Sequence, residues 1–122
     1  MEPLYQITWE DIMDSCKAIC QEADATFGPQ AVVGIAAGGL IPATIIASIL
    51  QIDLYPCLVT RKRRGRIVHQ RPEVIVSVSE QVKGRRVLVV DEMVMTGETM
   101  RVVSMECKKM GARLVKTAAI WV

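Results

Sequence analysis

Residues 87–99 read VLVVDEMVMTGET, and this stretch decides the fold. Val87 to Val90 form an unbroken apolar run, the pattern of a strand buried on both faces of a parallel sheet. Asp91 and Glu92 follow at its carboxyl end, and as chain neighbours their side chains need not point the same way. Thr96, Gly97, Glu98 and Thr99 then form a small, hydroxyl-rich turn ahead of a helical pattern. Such a turn presents backbone N–H groups at the positive end of a helix, a natural seat for a phosphate. Two carboxylates beside a phosphate seat suit a sugar phosphate. They would accept from ribose hydroxyls or anchor a divalent cation from its second shell.

A second strand–loop–helix unit precedes this one. Ala31 to Ile35 reads as a strand, and Ala36, Ala37, Gly38 and Gly39 lead to a helix opening near Pro42, which suits a first-turn position. Two glycines there let the backbone approach a ligand closely, although a plain tight turn would use them too. Upstream, Leu4 to Ile7 is a short strand candidate. Thr8 and Asp11 resemble a capping box with Asp for the usual Glu. Trp9, Ile12, Met13, Cys16, Ile19, Cys20 and Ala23 recur at three- and four-residue steps, so one helix face is apolar and Trp9 belongs to the core. Phe27, Gly28 and Pro29 end that helix.

Downstream, Leu54 to Thr60 and Val74 to Val78 read as strands, and Lys83-Gly84-Arg85 is a turn into the motif strand. Met100, Val103, Cys107 and Met110 share a helix face that Gly111 caps, and Leu114 to Val122 forms a last strand. The alternation predicts one α/β domain over residues 1–122, three layers thick, with a mostly parallel central sheet. Its ligand belongs at the carboxyl ends of the strands that carry Gly38-Gly39 and Asp91-Glu92.

These motifs resemble the type I phosphoribosyltransferase family, whose signature is a hydrophobic strand, two acids, three variable positions and Thr-Gly-x-Thr. Asp91, Glu92, Thr96, Gly97 and Thr99 match it position by position. The resemblance implies that phosphoribosyl pyrophosphate (PRPP) binds here and that its phosphoribosyl group passes to a nitrogenous base, of purine type. Asp91 and Glu92 would be catalytic, holding the ribose hydroxyls and touching Mg²⁺ only through water. Met95 to Thr99 would surround the 5′-phosphate. Ala37, Gly38 and Gly39 would hold the pyrophosphate by backbone alone, since Ala37 stands where the family often has a basic or polar residue. Arg61, Lys62 and Arg63 would reach the pyrophosphate from a mobile loop that closes over the site. The family further implies a homodimer.

Two departures from the family accompany the match. Where 6-oxopurine enzymes carry an aspartate for the base proton, this chain has Met95, which does no acid–base work. Purine enzymes also continue past the last strand into a hood over the base, whereas this sequence stops at Val122, so a domain without that hood is the expectation. A non-catalytic PRPP- or nucleotide-binding regulatory module is therefore the rival reading.

Composition is ordinary for a globular domain, at 51% apolar and 23% charged residues. The net charge of +2 is uneven: residues 1–60 carry −6 and residues 61–122 carry +8. The basic half holds the phosphate-seat motif, which favours an anionic ligand. The run Arg61, Lys62, Arg63, Arg64 is also compatible with a solvated hairpin. A nucleic-acid patch is less well supported, as no aromatics interleave the bases. His69, in the same region, reads as a surface residue. Cys16 and Cys20 are one helical turn apart, yet with a single distant histidine they read as core rather than metal ligands. The longest apolar run, Ile41 to Leu50, contains Pro42, Thr44 and Ser48 and is too short to span a membrane. No signal-peptide order opens the chain, so a cytoplasmic location is the expectation.

Overall fold

The computed structural model describes residues 7–60, 62–63, 66–67 and 72–121. Helix α1 (Trp9–Thr26) opens on Thr8, whose Oγ1 accepts from Asp11 N at 3.1 Å while Thr8 N donates to Asp11 Oδ2 at 3.0 Å. That is the reciprocal cap read from the sequence, and the bonds from Thr8 hold the Asp11 carboxyl below its usual range. Strand β1 (Ala31–Ala36) leads through Ala37–Gly39 into α2 (Leu40–Leu50), then β2 (Asp53–Thr60). Two short strands, β3 (Lys62–Arg63) and β4 (Arg66–Ile67), pair antiparallel as a separate ladder. Then come β5 (Glu73–Val76), a turn of 3-10 helix (Glu80–Val82), β6 (Arg86–Met93), α3 (Glu98–Lys109) and β7 (Leu114–Trp121).

The main sheet runs β5-β2-β1-β6-β7, parallel except for β5. Residue parity divides its two faces, because successive side chains of a strand point to opposite sides. Odd residues Val33, Ile35, Val87 and Val89 bury with Cys57, Val103 and Cys107 under α3. Even residues Val32, Leu88 and Val90 bury with Cys16, Cys20, Ala43 and Ile46 under α1 and α2. The result is the expected three-layer α/β domain with a mostly parallel sheet. No helix among the described residues is long and apolar enough to cross a membrane.

Helices α1 and α2 pack side by side through thiols. Cys16 Sγ donates to Pro42 O at 3.8 Å and Cys20 Sγ to Ile46 O at 3.9 Å. Burial pushes the Cys16 thiol up to about 11, with neighbouring Cys20 adding to it, so the group stays protonated and acts as packing.

Two sequence readings are corrected and a third falls mostly outside the described residues. Trp9 is 67% exposed rather than core. It stands at the outer edge of the helix pair, lining a shallow groove with Leu40, Ile41, Thr44 and Ile45 of α2. Val74 to Val78 is displaced: β5 spans Glu73–Val76 as an antiparallel edge strand, with a register shift between Leu58 and Val59. Val78 leaves the ladder and buries in the α3-side core instead. The strand candidate Leu4 to Ile7 falls mostly on residues 1–6, outside the described residues, and Ile7 is irregular.

Gly34 sets how closely α2 approaches the sheet. A Cβ at this position would stand 2.8 Å from Ala43 Cβ and 3.2 Å from Leu40 Cδ2. Gly34→Ala is expected to destabilise the domain by about 1–3 kcal/mol through overpacking. Ala43→Gly in the same chain should return part of that loss in urea denaturation. Additive losses in the double variant would show that the two positions do not meet.

Candidate functional site

Strands β1 and β6 lie parallel and adjacent, with Ala31 beside Val87 and Gly34 beside Val90. The chain leaves β1 toward the α2 face and β6 toward the α3 face, so their carboxyl ends flank a crevice at the point where the winding reverses. The loop after β1 is seated on the end of β6. Gly39 is buried, and its N–H donates to Ile35 O at 2.8 Å. A Cβ on Gly39 would come within 2.6 Å of both Ile35 O and Val90 O, and 3.0 Å of Asp91 Cα. A Cβ on Gly38 would collide with the Glu92 carboxylate. Gly39, which would strike backbone, is therefore needed for contact with the strand end, whereas at Gly38 the exposed Glu92 side chain could turn away. The Ala36–Ala37 peptide is cis, and Ala37 is exposed beside it.

The two acids part company at this end. Glu92, an even residue, lies against Gly38 and remains exposed. Asp91, an odd residue, is partly buried on the α3 side and lines a cavity of about 380 Å³ with Met93, Met95, Thr96, Gly97 and Thr99. Burial raises the Asp91 carboxyl above the usual range. The bond that Asp91 Oδ1 accepts from Glu92 N at 2.7 Å opposes that rise, and the Glu92 charge adds to it.

The far wall of the cavity is the turn into α3. Gly97 adopts φ +80°, a left-handed conformation, and its carbonyl accepts from Arg101 N at 3.0 Å. Thr96 Oγ1 accepts from Glu98 N at 3.2 Å, fixing the turn at the helix start. Val94 N donates to Trp121 O at 3.0 Å, which ties the loop to the end of β7. A partly buried carboxylate thus faces the amino end of a twelve-residue helix across a small cavity. Anions are stabilised at the helix end and hydroxyls or cations at the carboxylate, the complement of a phosphorylated sugar.

The structure brings Gly38, Gly39, Asp91 and Glu92 together, and joins Asp91 to Met95, Thr96, Gly97 and Thr99; Glu98 is the first residue of α3. Met95 is 88% exposed at the rim. Lys62 and Arg63 form the β3 backbone, and β2 delivers the chain to them from the carboxyl end of the sheet, where Leu58 pairs with Ala36. Arg61 and His69 lie outside the described residues. Sequence reading missed Met93 as a lining residue. Alternation from Asp91 would have found it, because both are odd positions of one strand.

The family model of the phosphoribosyl transferase domain matches residues 7–122. A xanthine-guanine phosphoribosyltransferase of Cereibacter sphaeroides is 29% identical over 106 residues, 81% of this chain and 62% of the relative. Its counterpart in Nitratidesulfovibrio vulgaris is 28% identical over 100 residues, 82% and 60% of the two chains. The chain therefore spans about three fifths of the length of these curated relatives. Among solved structures, the purine phosphoribosyltransferase of Pyrococcus horikoshii Ot3 superposes with a TM-score of 0.80 at 31% identity, over 93% of this chain and 73% of that one. A hypothetical protein of Neisseria gonorrhoeae with bound ppGpp superposes with a TM-score of 0.78 at 26% identity, over 97% and 72%.

The elevated Asp91 carboxyl has a consequence for stability. Its folded state binds protons more tightly than the ordinary aspartate value of 3.8, so stability falls as pH rises through the interval above that value. Asp91→Asn should melt at a higher temperature than wild type at pH 7. The gap should close below the ordinary aspartate range, where both chains are neutral at this position. Circular dichroism melts across this range make the check, and a lower melting temperature for Asp91→Asn at pH 7 would refute it.

Proposed function

The chain belongs to the phosphoribosyl transferase domain family, and from that membership we propose that it transfers the 5-phosphoribosyl group of PRPP to a purine base, releasing pyrophosphate. The observation that carries this reading is that Gly38-Gly39 seat on the Asp91-Glu92 strand end while Asp91 lines the cavity under the Thr96–Thr99 turn. In this reading the two loops bind anions with the Asp91 carboxylate between them. PRPP has the matching order of charge, a 5′-phosphate at one end and a pyrophosphate at the other.

In this reading the turn from Met95 to Thr99 binds the 5′-phosphate, and the backbone of Ala37, Gly38 and Gly39 meets the pyrophosphate. Glu92 holds its place against Gly38 and orders that loop. Asp91 faces the ribose, accepts from its hydroxyls and stabilises the positive charge that builds on the sugar as the bond from the anomeric carbon to pyrophosphate breaks. A nitrogen of the base then bonds to that carbon. Arg61, Lys62 and Arg63 would add positive charge at the pyrophosphate, the role that the resemblance implies for them. Mg²⁺, which the family resemblance implies, would meet Asp91 at the cavity through water. Such a site fits an ion held mainly by substrate oxygens and water. When bound, Mg²⁺ neutralises charge on the leaving pyrophosphate.

A nucleotide-binding regulatory module is the second reading. Met95, 88% exposed at the rim, supplies no proton acceptor for a base, and the Neisseria relative holds ppGpp. The two readings separate in one assay, in which the chain is incubated with PRPP, Mg²⁺ and a panel of bases and the products are weighed by mass spectrometry. A nucleotide product from a purine supports transfer. PRPP binding with no product from any base supports the regulatory module.

Two variants resolve the roles in an active preparation. Asp91→Asn should lower kcat by about 100-fold with little change in KM, because the charge it meets develops only in the transition state. Gly97→Val should raise KM for PRPP while the domain stays folded. Space around Gly97 is open, so the cost is the left-handed backbone, about 1–2 kcal/mol. Full turnover by Asp91→Asn would remove Asp91 from the chemistry, and unchanged PRPP affinity of Gly97→Val would remove the turn from phosphate binding.

A further inference from the structure

The turn that seats the 5′-phosphate in this reading is poor in positive charge. From Asp91 to Met100 the chain carries three acids, Asp91, Glu92 and Glu98, and no base. The amino end of α3 offers about half an elementary charge through its backbone N–H groups. A phosphate monoester brings about 1.5 to 2 negative charges near pH 7. Beside those carboxylates it calls for a full cation that the turn itself does not contain.

Arg101 is the first base beyond the turn. Its backbone N–H donates to Gly97 O at 3.0 Å, so it stands one helical turn, about 5.4 Å, past Gly97 on the same side of α3. Helical side chains lean back toward the amino end, which directs Arg101 toward the turn. A Cβ placed on Gly97 would meet nothing within 4 Å, so the space beside it is open to a guanidinium.

The Arg101 side chain is exposed and meets no hydrogen-bond or ion-pair partner among the described residues. Its place in the helix is also informative. Lys108 and Lys109 stand in the last turn of α3, where the helix dipole favours a cation. Arg101 stands near the opposite end, where the dipole disfavours one. An anion bound at that end answers both the dipole and the arginine. The guanidinium fork suits two oxygens of one phosphate, which a lysine meets only as a point charge.

We propose that Arg101 folds back over Gly97 and clasps the 5′-phosphate, supplying the full charge that makes the site select a phosphorylated sugar. This role rests on the turn from Met95 to Thr99 being the phosphate seat, and it adds a side chain from outside that turn.

Calorimetry of the whole chain with two probes, PRPP and ribose 5-phosphate, each with Mg²⁺, makes the test. The probes share the ribose and the 5′-phosphate and differ in the pyrophosphate. Arg101→Gln should weaken both by the same factor, about tenfold. Arg101→Lys should lose less, because it keeps the charge and gives up only the fork. Melting of both variants should match wild type, since the side chain is exposed. Wild-type affinity of Arg101→Gln for both probes overturns the proposal and leaves the reading of the turn standing. A loss confined to PRPP puts Arg101 at the pyrophosphate and overturns it as well. A wild type that binds neither probe overturns the reading of the turn, and the proposal with it.

Discussion

The arrangement of this molecule depends on a single close approach, that of the Gly38-Gly39 backbone to the end of β6. At Gly39 a side chain would enter the space of two carbonyl oxygens, Ile35 O and Val90 O, which belong to two adjacent strands. Backbone cannot yield as a flexible side chain can, so any larger residue must push the loop away from the sheet. The absence of a Cβ at Gly39 therefore lets the loop after β1 rest on the end of β6. The parallel pairing of β1 with β6 supplies the frame, and the glycines bring the two loops into contact.

The acids show how a strand can separate two like charges that are chemically bonded neighbours. Alternation sends Asp91 into the α3-side cavity and Glu92 across Gly38. Asp91 is left in surroundings that disfavour its charge, with only the Glu92 N–H at 2.7 Å in compensation. A carboxylate held this way is poised to gain from an incoming hydroxyl or cation, because either supplies what burial has removed. The domain accepts a local loss of stability at the position where ligand binding would recover it.

Helix α2 shows a related economy of structure. Its inward face closes the core with Ala43 and Ile46 over Gly34, while its outward face keeps isoleucines in water. The core alone requires only the first face. An apolar outer ridge in an element with no charges is the part of the fold that the isolated chain does not explain.

Much of this was legible in the chain itself. The run Val87 to Val90, the acids after it and the Thr-Gly turn determined a buried parallel strand ending at a turn into a helix. Thr8 and Asp11 determined where α1 begins, because capping is a contact between residues three apart. These signals are local, and local geometry follows from sequence spacing. Tertiary structure alone decided the remainder. Trp9 matched the helix stripe but stands largely in solvent at the outer edge of the α1–α2 pair, because which side of the stripe α2 covers is set by packing and not by periodicity. The Val74 to Val78 strand moved to Glu73–Val76 and turned antiparallel, because its partner edge and the bulge at Leu58/Val59 chose its register. That Gly38 lies against Glu92 and not Asp91 follows from residues 54 positions apart meeting across neighbouring strands. No spacing along the chain encodes such a contact, which arises only when the sheet has assembled.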